Sequence, residues 1–123
     1  MDKAGRAASS ALLLAEAGDA DGACNRADYA MYQAATAALI AEGLAPDSVK
    51  THSFVIGAFS RSFVLTGQIA KETGRALSEV QKIRAIADYA AAPIPLERAR
   101  WAAEQAGLFL AAVKALPLLT ATN

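Results

Sequence analysis

The stretch "DGACNRADYAMYQAATAALIAEG", residues 21–43, carries alanine at 23, 27, 30, 34, 37 and 41, at spacings of four, three, four, three and four. Residues three and four apart share one face of an α-helix, so these alanines form a continuous seam of small side chains. Such a seam lets a second helix approach closely. Beside it, at the same period, runs a second stripe of Arg26, Tyr29, Gln33, Thr36 and Ile40, which is either a solvated edge or one wall of a groove. The pattern predicts a helix over about 20–42, with Asp19 or Asp21 as N-cap and Gly43 just past its end.

The end of the chain answers this seam. Ala99, Ala102, Ala106, Phe109, Val113 and Leu116 follow a matching heptad pattern, which makes the last helix a packing neighbour for the second. Between and around them the punctuation is clear. A first helix runs through about residue 16 and stops at Gly18. "LAPDSVKTHS" (44–53) reads as a loop because Pro46 and Asp47 interrupt a helix there. Ser53 caps a shorter helix over about 54–66 that Gly67 ends, and a fourth helix covers about 70–91. "APIP" (92–95) forces a break, Pro95 suits the first turn of a helix reaching about Leu116, and Pro117 ends it. No run alternates in the manner of a strand and no segment repeats. The expected fold is all-α, an up-and-down bundle of four long helices plus one short helix, in a single domain over 1–123.

Composition agrees. The chain has 123 residues, 54% of the hydrophobic class but only 7% aromatic, so alanine-rich helix packing is favoured over a sheet. Twelve basic residues balance twelve acidic ones, which excludes a strongly basic nucleic-acid binder and leaves room only for a local patch. A single cysteine, Cys24, forbids an intramolecular disulfide, fits a reducing compartment and reads as a small buried thiol. The N-terminal pattern is that of an amphipathic helix and not a signal peptide, and no apolar run approaches the roughly 20 residues that span a bilayer. The expectation is a cytoplasmic protein without membrane partners.

"KIRAIADYA" (82–90) is the chemically richest segment. At roughly 100° per residue, Leu77, Val80, Ala87 and Ala91 fall on one side of the fourth helix, with Arg84 inside that arc and Asp88 at its edge. The guanidinium is therefore aimed at the bundle or at a partner subunit, where an unpaired charge is costly. Asp88, one turn on, is the expected bidentate partner. Tyr89 projects further round, nearer Ser78 and Lys82, so the three side chains do not share one narrow stripe.

Taken in order, "NRADYAMYQAATAALIAEGL", "KTHSFVIGAFSRSFVLTGQI" and "KIRAIADYA", followed by an alanine-rich last helix, resemble the HEPN domain family over roughly residues 8–113. The resemblance implies a four- or five-helix bundle that commonly forms a homodimer, often encoded beside a minimal nucleotidyltransferase as a toxin–antitoxin pair. Many such domains are metal-independent ribonucleases that use an arginine and a histidine with four to six residues between them. Imidazole moves the 2′-hydroxyl or leaving-group proton near neutral pH, and arginine stabilises the phosphorane charge. Arg84 matches that arginine, but Tyr89, Ala90 and Ala91 occupy the positions where the histidine would stand.

The candidate catalytic residues are accordingly Arg84, Asp88 and Tyr89, and the candidate nucleotide- or RNA-binding residues Arg26, His52 and Arg84. His52, the only histidine, reads as a capping or packing residue unless the fold brings it beside Arg26 or Arg84. Asp28 and Gln33 replace an aromatic and a histidine frequent in the family, and Tyr29 and Tyr32 read as packing residues. Tyr89 is also a conceivable acceptor of a nucleotidyl group from the partner. No cofactor and no metal is implied. "DADGACNR" imitates a calcium loop only in the spacing of Asp19 and Asp21, with Ala23 at the fifth position and Ala30 at the twelfth. Two readings result: a HEPN-like homodimer binding a nucleotide or RNA phosphate near Arg84, or a non-catalytic docking module in which Arg84–Asp88 is a structural ion pair.

Overall fold

The structure is a computed structural model that describes residues 1–90 and 92–120. Ala91, expected on the inner arc of the fourth helix, lies outside the described residues. The elements run in the order α1 (Asp2–Glu16), α2 (Ala20–Ala41), a 3-10 turn (Pro46–Ser48), α3 (His52–Phe59), a π turn (Ser60–Val64), α4 (Lys71–Ala90), α5 (Leu96–Lys114) and α6 (Pro117–Thr120). No strand occurs among the described residues, and the class is all-α.

α2 is the central helix, packed against α1, α3, α4 and α5. Its ends form as the sequence requires. The Asp19 carboxylate accepts from the Gly22 N–H at 2.9 Å, satisfying one of the free donors of the first turn. Gly18 and Gly43, at φ 85° and 118°, take the left-handed conformation that closes α1 and α2. Ala23, Ala27, Ala30 and Ala34 are fully buried, but Ala37 is half-buried and Ala41 exposed. The first residues of α1, Met1 to Ala4, stand beside Thr36, Ala37 and Ile40, so the last turn of α2 runs past the end of its neighbour. The buried face is also wider than the alanine seam. It takes in Cys24, Asp28, Met31, Ala35 and Leu39, a second line at spacings of four, three, four and four.

The bulk that alanine cannot supply comes from three phenylalanines. The Phe59 ring lies 5.1 Å from Phe63 and 5.2 Å from Phe109, centroid to centroid, and all three are buried. The face of α5 carrying Ala99, Ala102, Ala106, Phe109 and Val113, with Leu116 beyond it, is buried as the heptad pattern predicts.

Three boundaries differ from the sequence reading. Thr51, not Ser53, caps α3: its hydroxyl accepts from the Phe54 N–H at 3.0 Å, so the helix begins at His52. That helix does not reach 66 in α form. It widens at Ser60 into the π turn, where the Leu65 N–H reaches back to the Ser60 carbonyl at 2.9 Å, and Gly67 follows at φ 83°. α5 ends at Lys114, and Pro117 opens the short α6, because proline lacks the N–H that a first helical turn leaves unpaired anyway.

Candidate functional site

Asp28 is the one buried charged residue among those described, 2% exposed, on the face of α2 that meets α3 and α4. A buried carboxylate is costly unless paired. Arg84 Nη1 of α4 donates to Asp28 Oδ2 at 3.0 Å. His52 Nε2, at the start of α3, stands 3.3 Å from the same oxygen. One carboxylate oxygen thus joins three helices and holds a guanidinium and an imidazole side by side. The Tyr32 ring, one turn beyond Asp28 on α2, packs against the imidazole at 4.4 Å.

This corrects the expected bidentate Arg84–Asp88 pair. Arg84 points inward, in the arc with buried Leu77 and Val80, but its hydrogen-bonded partner is Asp28. Asp88 is exposed, and its Oδ2 lies 3.7 Å from Arg84 Nε, too far for a hydrogen bond. Arg84 Nε is shielded from solvent and makes no hydrogen bond. The other side of the guanidinium faces a small cleft, about 180 Å3, lined also by Asp21, Asn25, Asp88 and Ile94.

The remaining candidates lie elsewhere. Tyr89 is 97% exposed and has no hydrogen bond or ring contact to Arg84, Asp28 or His52. Arg26 sits 4.5 Å above the Tyr29 ring in a cation–π contact. On α2, Arg26 and Asp28 project about 160° apart, so Arg26 cannot join the cluster within one chain. Of the binding residues read from sequence, the fold brings His52 and Arg84 together and leaves Arg26 out.

Asp28 was missed as a site residue, although a signal existed. It is an acid set in the apolar line of Cys24, Met31, Ala35 and Leu39. Cys24 on that line is inert: burial, reinforced by the nearby Asp21 carboxylate, pushes its thiol up to about 11.

Fold and cluster together define a class: an all-helical bundle whose polar chemistry is concentrated in an arginine and a histidine sharing one buried aspartate. The chain belongs to the HEPN domain family, whose model matches residues 1–116. It is 40% identical over 67 residues to a UPF0332 protein of Thermotoga maritima, covering 54% of this chain and 48% of that one. It is 33% identical over 92 residues to a UPF0332 protein of Gloeobacter violaceus, covering 75% of this chain and 71% of that protein. The chain therefore spans about half the length of the first relative and somewhat more of the second. No solved structure matches it. Among the described residues, no helix is long and apolar enough to cross a membrane.

Proposed function

We propose that the chain is the HEPN subunit of a two-component module with a minimal nucleotidyltransferase, and that it works as a homodimer engaging a nucleotide or RNA phosphate through Arg84 and His52. The observation that carries this reading is the shared Asp28 oxygen, 3.0 Å from Arg84 Nη1 and 3.3 Å from His52 Nε2. It pre-positions a fixed cation and a proton-transfer group next to each other, as phosphate chemistry without metal requires. In this reading His52, arriving from α3, stands in for the histidine that α4 lacks. Slow or absent cleavage is expected, because Asp28 and Asp88 both draw on the single charge of Arg84.

The test is binding of a labelled oligoribonucleotide by fluorescence anisotropy, with a metal-free cleavage assay on the same samples. Arg84→Lys and His52→Gln, each confirmed folded and dimeric, are expected to weaken binding about tenfold, the worth of one charge-assisted hydrogen bond. Unchanged affinity in both variants overturns the assignment of the site.

A second reading has its own support. Arg84 meets two carboxylates and the adjoining cleft adds Asp21, so one chain offers an anion no net positive charge there. Under it the cluster is a helix clamp and the protein a non-catalytic docking module. A stable complex with the nucleotidyltransferase and no affinity for nucleotide or RNA would establish that reading.

A further inference from the structure

A cavity lies away from Arg84, between the π turn and the first turns of α4. It measures about 590 Å3, within the range of roughly 300–1,000 Å3 typical of small-molecule sites. Its floor is apolar, formed by Ile56, Phe59, Val64 and Leu77, and its polar rim includes Lys71 and Arg75. Leu65, 75% exposed, adds an apolar side chain at the edge.

Three features set this cleft apart from an accidental groove. The first is charge. Neither Lys71 nor Arg75 has a carboxylate partner among the described residues. Both sit at the N-terminal end of α4, where the helix dipole already disfavours cations and favours an anion. Ala70, the residue before the helix, has no side-chain acceptor for the free N–H groups. The second is backbone form. The wall opposite α4 is the π turn, an uncommon conformation that is frequent at functional sites. The third is the close seating of the two walls. A Cβ on Gly74 would lie 2.6 Å from Val64 Cγ2, so the wall is built around the missing side chain.

We propose that this cleft binds a small free anion with an aliphatic tail. The head, a carboxylate or phosphate, is held by Lys71, Arg75 and the α4 N-terminus, and the tail lies on Ile56, Phe59, Val64 and Leu77. The site is independent of Arg84 and of the function proposed for it. The order of affinity follows from the lining. Each methylene buried on the floor strengthens binding about fourfold, so affinity rises from butyrate through hexanoate to octanoate. 1-Octanol, with the same tail and no charge, binds at least about tenfold more weakly than octanoate.

The experiment is isothermal titration of the full chain with these four compounds, inorganic phosphate and vesicles of phosphatidylglycerol. The wild type and a Lys71→Gln/Arg75→Gln variant are compared. Both changed residues are exposed, and thermal unfolding verifies that the variant is folded. Amide chemical shifts locate the ligand. The expected result is octanoate binding with the chain-length trend, loss of at least about tenfold in the variant, and shifts confined to residues 56–65 and 71–78. No octanoate binding, equal affinity for octanol, or unchanged affinity in the variant overturns the proposal. So do shifts centred on Asp28 and His52, or binding to vesicles without binding to free octanoate.

Discussion

Replacing Asp28 by asparagine keeps the size and shape of the side chain and removes its charge. In the wild type its Oδ2 accepts from Arg84 Nη1 at 3.0 Å and lies 3.3 Å from His52 Nε2, with the Asp28 side chain 3% exposed. Breaking a fully buried ion pair costs about 3–5 kcal/mol, because the surviving charge is stranded. Here the stranded group, Arg84, is 34% exposed and keeps Asp88 nearby at 3.7 Å, so water and that carboxylate relieve part of the cost. A loss of about 2 kcal/mol is expected. With an unfolding entropy of about 2.1 cal/mol/K per residue, a chain of this length loses roughly 8 °C in Tm. Differential scanning calorimetry at neutral pH reads that shift. A double-mutant cycle with Arg84→Gln isolates the pair, with a coupling of about 1–2 kcal/mol expected between directly bonded groups. A Tm within about 2 °C of the wild type, or a coupling near zero, refutes the view that Asp28 holds α2, α3 and α4 in register.

Other perturbations read other parts of the structure. The Cys24 thiol, raised from 9.0 to about 11 by burial, stays protonated in the folded chain where the unfolded chain ionises. Stability is therefore unaffected by this group below pH 9 and falls by roughly 2–3 kcal/mol between pH 9 and 11, a slope that Cys24→Ala removes from urea unfolding curves. Below pH 9 the native thiol is expected to react with a disulfide reagent at least about a hundredfold more slowly than in the urea-unfolded chain. Gly74→Ala drives a methyl toward Val64 Cγ2 and is expected to cost about 1–3 kcal/mol, most of it recovered when Val64→Ala is added. Thr51→Ala removes the acceptor of the Phe54 N–H and is expected to cost about 1 kcal/mol, whereas Ser53→Ala costs a few tenths, both by thermal unfolding.

Local chemistry made much of the bundle legible. The first four alanines of the α2 seam, the Asp19 cap, the glycines at 18 and 43 and the heptad face of α5 each depend on residues within a few turns of one another, and each is where the sequence put it. The inward aim of Arg84 was legible for the same reason, since it follows from the helical step and its apolar neighbours. Its partner was not. Asp88 is close along the helix and Asp28 is 56 residues away, so a search within one helix finds the weaker pair. The cap of α3 was misplaced because "KTHS" offers two hydroxyls able to cap, Thr51 and Ser53. The π turn escaped because its residues have no composition that separates them from an ordinary helix.

An alanine helix at the centre of the bundle also governs which changes the chain can accept. Ala23, Ala27, Ala30 and Ala34 sit at zero exposure against neighbours on several sides, so a larger residue at any of them has no rotamer that escapes into solvent. Volume added there spreads to every helix that α2 touches, whereas volume added on the outer face of a flanking helix meets only water. Variation is therefore free to accumulate on the solvent-facing sides of the flanking helices, while the central one is held close to its present size, with Asp28 as the position where chemistry sets the constraint.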